Sequence, residues 1–103
     1  MSTLNFTPRE SLTDSSGQPY FVWDQRLTLE QFEAGLRDDD PDVRARFMAR
    51  LLRDARPDDV FQFVKARDVA AAWDRVAPLL GHRRDFWAWL LERWDVLPRA
   101  DAR

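Results

Sequence analysis

The stretch LTLEQFEAGLRDDDPDVRARFMARLLRDA, residues 27–55, decides the fold. Thr28 followed three residues later by Gln31 is a capping box: the hydroxyl accepts from the amide of the third helical residue while the Gln side chain reaches back to the amide of the cap. Leu27 and Phe32 stand where a hydrophobic staple belongs. A helix is therefore expected over about residues 29 to 37, with Leu29, Phe32 and Leu36 on one face at i, i+3 and i+7. The run Asp38-Asp39-Asp40 ends it. Asp40 then caps a second helix whose first position holds Pro41, where a missing N–H costs nothing. That helix is expected to reach about residue 55, with Phe47, Met48, Leu51, Leu52 and Ala55 on its buried stripe and Arg46, Arg50 and Arg53 opposite.

Reading on toward the C-terminus, Pro57 with Asp58 and Asp59 opens a third helix of about two turns, the acids matching the positive end of the helix dipole. Asp68 is placed as the cap of a fourth, carrying Val69, Ala72, Trp73, Val76 and Leu80 at helical spacing. Gly81 stands where a left-handed terminator belongs, and Pro78 kinks or restarts the last turn. Asp85 is placed as the cap of a fifth helix that stops before Pro98 and carries Phe86, Trp87, Leu90, Leu91, Trp94 and Leu97 on one broad face. Toward the N-terminus, Tyr20-Phe21-Val22-Trp23-Asp24 is too apolar to stay in water and is expected as an extended lead-in. Residues 1–19, rich in Ser, Thr, Pro and Gly with only Leu4, Phe6 and Leu12 as apolar anchors, are expected as a flexible arm.

No segment alternates with period two beyond a short pairing near residues 20 to 23, so the expected fold class is all-α. It is a compact bundle of about five short helices, with HEAT-like pairing suggested by Asp40-Pro41-Asp42-Val43-Arg44 entering a helix. The division is a flexible arm at 1–19, a helical domain at 20–97 and a tail at 98–103. Trp23, Phe47, Trp73, Trp87 and Trp94 are expected to be buried together.

Composition narrows the function classes. The chain has 103 residues, a formal net charge of −2 and no Cys, which excludes disulfides and thiolate metal sites. No apolar run reaches the roughly 18 residues of a membrane span, and Met1-Ser2-Thr3-Leu4-Asn5 lacks a signal peptide's basic flank, so a cytoplasmic protein is expected. His82 is alone in a basic turn and the serines all fall within residues 1–19; no catalytic set, cofactor or metal is expected. Asp38, Asp39, Asp40 and Asp42 read as helix-start acids, because they lack the alternate spacing, glycine turn and distal Glu of a calcium loop.

Two features remain for partners. Arg46, Arg50 and Arg53 form a stripe open to three readings: a solvated, salt-bridged face, an acidic protein partner, or nucleic acid. The net negative charge and interleaved Asp residues weigh against the last. Trp89 and Val96 point off the main face of the last helix, so either that helix is sandwiched inside the domain or these two belong to an interface, with self-association one form of it.

Pro19-Tyr20-Phe21-Val22-Trp23-Asp24, Arg56-Pro57-Asp58-Asp59-Val60 and Asp85-Phe86-Trp87 give the chain, over about residues 19 to 94, a further character. In these motifs it resembles short bacterial proteins often encoded beside AbiEii-type nucleotidyltransferases, the toxin components of abortive-infection systems. The resemblance implies a non-enzymatic antitoxin or accessory partner of a nucleotidyltransferase. The chain departs from many antitoxins in having no evident helix-turn-helix, which leaves DNA binding as the alternative reading, carried by the arginine stripe alone.

Overall fold

The computed structural model describes residues 5–97; the expected tail at 98–103 and the start of the expected arm lie outside them. Among the described residues the chain is all-α. Its helices are α1 (Leu29–Leu36), α2 (Pro41–Asp54), α3 (Pro57–Val60), α4 (Ala66–Ala71), α5 (Trp73–Val76) and α6 (Arg84–Arg93), with 3-10 turns at Arg9–Ser11, Ala77–Leu79 and Gly81–Arg83. The one strand-like feature among them is an isolated bridge between Thr13 and Pro19, ahead of the expected position.

The central hairpin forms as its local chemistry dictates. The Thr28 hydroxyl accepts from the Gln31 amide at 3.1 Å, and the Thr28 amide donates to the Gln31 side chain at 2.9 Å. Asp40 accepts from the Asp42 amide at 2.9 Å, with Pro41 in the first turn of α2. Met48, Leu51, Leu52 and Ala55 are buried as expected, and Phe47 packs half-buried against the same core. α1 and α2 pack tightly at Gly35, where an added Cβ would lie 2.5 Å from the Phe47 ring. Gly→Ala in a helix normally stabilises by about 1 kcal/mol, whereas overpacking costs about 1–3 kcal/mol. Gly35→Ala should therefore lower the melting temperature instead of raising it.

The core gathers an edge-to-face cluster of Phe21, Phe32, Phe47 and Phe63, with ring centroids 4.9 to 6.2 Å apart along its contacts. A second centre is Trp87, whose indole N–H donates to the Leu52 carbonyl at 2.8 Å. That carbonyl belongs to the last turn of α2 and has no amide within the helix to accept from. Arg83 serves the neighbouring Arg53 carbonyl in the same way, at 3.3 Å.

Several expectations are corrected. Of the five Trp, Trp87 is fully buried and Trp73 partly so, while Trp23 is 72% exposed and Trp94 43% exposed. They do not form one cluster. Asp68 does not cap the fourth helix: it is the third residue of α4 and reaches back to the Lys65 amide at 3.1 Å. The expected continuous helix is divided at Ala72, and Pro78 lies in a 3-10 turn, having no amide to continue the ladder. Gly81 does take a left-handed conformation (φ 56°), but it opens the turn before α6. Asp85 lies inside the first turn of α6, not at its cap.

The arm is corrected too. Within its described part Leu12 and Pro19 are buried, Tyr20 donates its amide to the Leu12 carbonyl at 2.9 Å, and Leu29 donates to the Gly17 carbonyl at 3.0 Å. Asp14 holds the intervening turn by accepting from the amides of Ser16 and Gln18. A segment with sparse apolar residues is thus fixed by nearby hydrogen bonds, and Asn5 and Thr7 tie it to Asp58 and Asp59 far along the chain.

Candidate functional site

α6 ends at Arg93, earlier than expected. Asp95 takes φ 60°, its amide donates to the Glu92 carbonyl at 3.0 Å and the Val96 amide donates to Leu91 at 3.1 Å. This is a Schellman ending with Asp in the place usually taken by Gly, and it normally brings the residue two beyond the cap onto the helix. Val96 accordingly packs, half-buried, against the core. Unlike Trp89, it is turned in part toward the core.

Trp89 does face outward, 53% exposed. It forms a ridge with Phe86, whose ring centroid lies 6.3 Å away, and with Arg93, whose guanidinium sits over the indole at 5.6 Å. Residues three and four apart on a helix are neighbours, so α6 presents these three side chains as one surface opposite buried Trp87 and Leu91. At the end of α6, exposed Trp94 leans on Phe61 with centroids 5.2 Å apart. Exposed Trp and Phe grouped in this way have the composition of the anchors that dominate protein interfaces.

Arg46, Arg50 and Arg53 line one groove of about 410 Å³, but their circumstances differ. Arg50 pairs with Asp24 at 2.8 Å and Asp54 at 3.1 Å, and stacks on Trp23 at 5.9 Å. Hydrogen bonding to Arg50 holds the Asp24 carboxyl below its usual range. Arg53 donates to the Leu79 carbonyl at 3.1 Å and approaches Asp54 at 3.8 Å. Arg46 has no ion pair among the described residues. A phosphate backbone would meet carboxylates already interleaved with the cations.

The acidic run has local work. Asp38 and Asp40 accept from the amides of Asp40 and Asp42, and Asp42 pairs with Arg75 at 3.1 Å. No group of three or more His, Asp or Glu suited to a metal occurs among the described residues, and His82 is exposed.

Sequence reasoning missed Asp59, which is 0% exposed. One carboxylate oxygen accepts from the Thr7 amide (2.7 Å) and the Gln62 side chain (3.0 Å); the other accepts from the hydroxyls of Thr7 and Tyr20, both at 2.6 Å. Each hydroxyl is in turn an acceptor, Thr7 from the Arg56 guanidinium at 2.8 Å and Tyr20 from the Arg56 amide at 2.9 Å. Both hydroxyl protons must then point at Asp59. Burial pulls the Asp59 pKa upward, but the hydrogen bonds from Thr7, Tyr20 and Gln62 together prevail and hold it below the ordinary 3.8. Burial, and then the bond to Asp59, push Tyr20 up to about 12. With four donors converging on it, this carboxylate is a fastening point; taking up a substrate proton would require breaking that set. The local signal was only an Asp in a helix's first turn, which reads as a dipole partner.

No helix among the described residues is long and apolar enough to cross a membrane. Compared with models of known families, with curated proteins and with solved structures, the chain matches none.

Proposed function

We propose that the chain is a non-enzymatic, cytoplasmic protein-binding module, the antitoxin or accessory partner of a nucleotidyltransferase toxin. The carrying observation is the outward ridge of Phe86, Trp89 and Arg93 on α6: Trp89 is 53% exposed, and Phe86 beside it rests edge-on against buried Trp87 while keeping part of its ring at the surface. The nucleotidyltransferase as partner rests on the resemblance of the Pro19–Asp24, Arg56–Val60 and Asp85–Trp87 motifs. The sparse inventory of nucleophiles and the saturated Asp59 favour binding over turnover.

The test is isothermal titration against an AbiEii-type nucleotidyltransferase, with a Trp89→Ala variant. The variant should keep the parent's melting temperature and lose about 2 kcal/mol or more of binding, roughly 30-fold. Affinity should change little with salt, because the anchors are aromatic. A variant that unfolds would make Trp89 a core residue, and no binding to that enzyme would remove the antitoxin reading. Affinity for DNA that falls steeply with salt would instead favour the arginine stripe as a nucleic-acid surface.

A further inference from the structure

The arginine groove is built by four segments: the extended chain from Val22 to Leu27, Phe32 of α1, one side of α2, and Leu79 in the 3-10 turn Ala77–Leu79. Leu27, Phe47 and Leu79 give it an apolar lining, and its volume of about 410 Å³ lies in the range of ligand clefts, about 300–1,000 Å³. The charges at its mouth are unequally spent. Arg50 is satisfied by Asp24 and Asp54. Arg46 has no ion pair among the described residues, and Arg53 meets a carbonyl and only the distant edge of Asp54. Trp23 stands beside the groove, stacked on Arg50 and 72% exposed.

The geometry points to a docking site for an acidic peptide segment of a protein partner, one apolar side chain entering between Leu27, Phe47 and Leu79 while flanking carboxylates meet Arg46 and Arg53. This rests on the protein-binding reading and names the chemistry of the bound segment. Guanidinium groups match carboxylates with paired hydrogen bonds, and the apolar slot rewards a side chain that a phosphate backbone lacks. Asp24 and Asp54 would repel a polyanion, whereas a short segment places its few carboxylates only where the unspent arginines are. Trp23 supplies the flat amphipathic surface that interfaces favour at their anchors.

A displayed library of random peptides, selected on the full chain, tests this. The recovered sequences should carry an apolar residue flanked by Asp or Glu. Their affinity should fall about tenfold or more in Arg46→Glu and in Leu79→Ser, while Arg67→Glu, an equal charge change on α4, leaves it within about twofold. Both groove residues are exposed, so their variants should keep the parent's melting temperature. Recovered peptides without acidic bias, or acidic ones indifferent to Arg46, overturn the proposal. Peptides that need Trp89 and not Arg46 overturn the groove assignment and leave the α6 reading standing. If no peptide is recovered the groove proposal fails, and if a single-stranded DNA probe then binds through Arg46 with steep salt dependence, the protein-binding reading fails with it.

Discussion

Asp59→Ala should remove about 3–5 kcal/mol of stability, by analogy with stripping one partner from a buried charged set. A chain of this size holds about 5–15 kcal/mol in all, so the loss is severe. The Thr7 amide, the Gln62 side chain and the hydroxyls of Thr7 and Tyr20 would lose their common acceptor, with Thr7 and Gln62 still half-buried. Denaturant unfolding measures the loss; a variant within about 1 kcal/mol of the parent would show that these donors find water instead. The same constellation sets two pH limits. Asp59 is ionised in the fold with a pKa below its ordinary 3.8, so its contribution is complete above that value and is lost as pH falls through the lower, folded one. Tyr20 is neutral in the fold with its pKa raised from 10.0 to about 12, so its contribution is complete below pH 10 and fades as pH rises toward 12. Tyr20 is the sole tyrosine, so an ultraviolet titration of tyrosinate reads this site alone. In Asp59→Asn the Tyr20 midpoint should move back toward 10.0, and an unmoved midpoint would mean that burial alone sets it.

Trp87→Ala should be comparably damaging, about 3–5 kcal/mol, because it empties the centre of the C-terminal half and also strips the Leu52 carbonyl of its donor. Trp87→Phe separates the two effects: it keeps most of the ring volume and removes the N–H, costing about 1–3 kcal/mol for the unpaired carbonyl and the smaller ring. Trp94→Ala should cost no more than about 1 kcal/mol, since that indole is 43% exposed and leans mainly on Phe61. Thermal melting of the three variants checks the order, and equal losses for Trp87 and Trp94 would contradict the placement of the core.

What was legible in the sequence was local. Thr28 with Gln31, and Asp40 with Pro41, carry their helix starts within four residues, and both formed as read. Trp89 was legible because helical phase alone sets it apart from Trp87. The failures came where distant partners decide. Thr7 and Asp59 are 52 positions apart, and nothing in a Ser- and Thr-rich stretch announces that one Thr spends both its amide and hydroxyl on a remote carboxylate. Hydropathy ranks Trp23 with Trp87, yet one covers an arginine in water and the other lies at the centre of a core. The end of α6 was misplaced because Asp95 performs a turn for which glycine is the usual sign, and the helix was extended to Leu97. The groove joins four segments, so the arginine spacing showed one of its walls and not its apolar lining.

The corner between α2 and α3 receives Tyr20 from one end of the chain at Arg56 and Trp87 from the other at Leu52. These ties span 36 and 35 residues, and contacts of such length close late because the loop entropy falls due before they form. During synthesis the corner waits for α6: a nascent chain halted before Trp87 has the hairpin of α1 and α2 but leaves the last carbonyls of α2 open to solvent. Until that segment emerges, the Leu52 and Arg53 carbonyls lack the donors that Trp87 and Arg83 supply, and the end of α2 stands open to whatever chaperone or neighbouring chain is at hand.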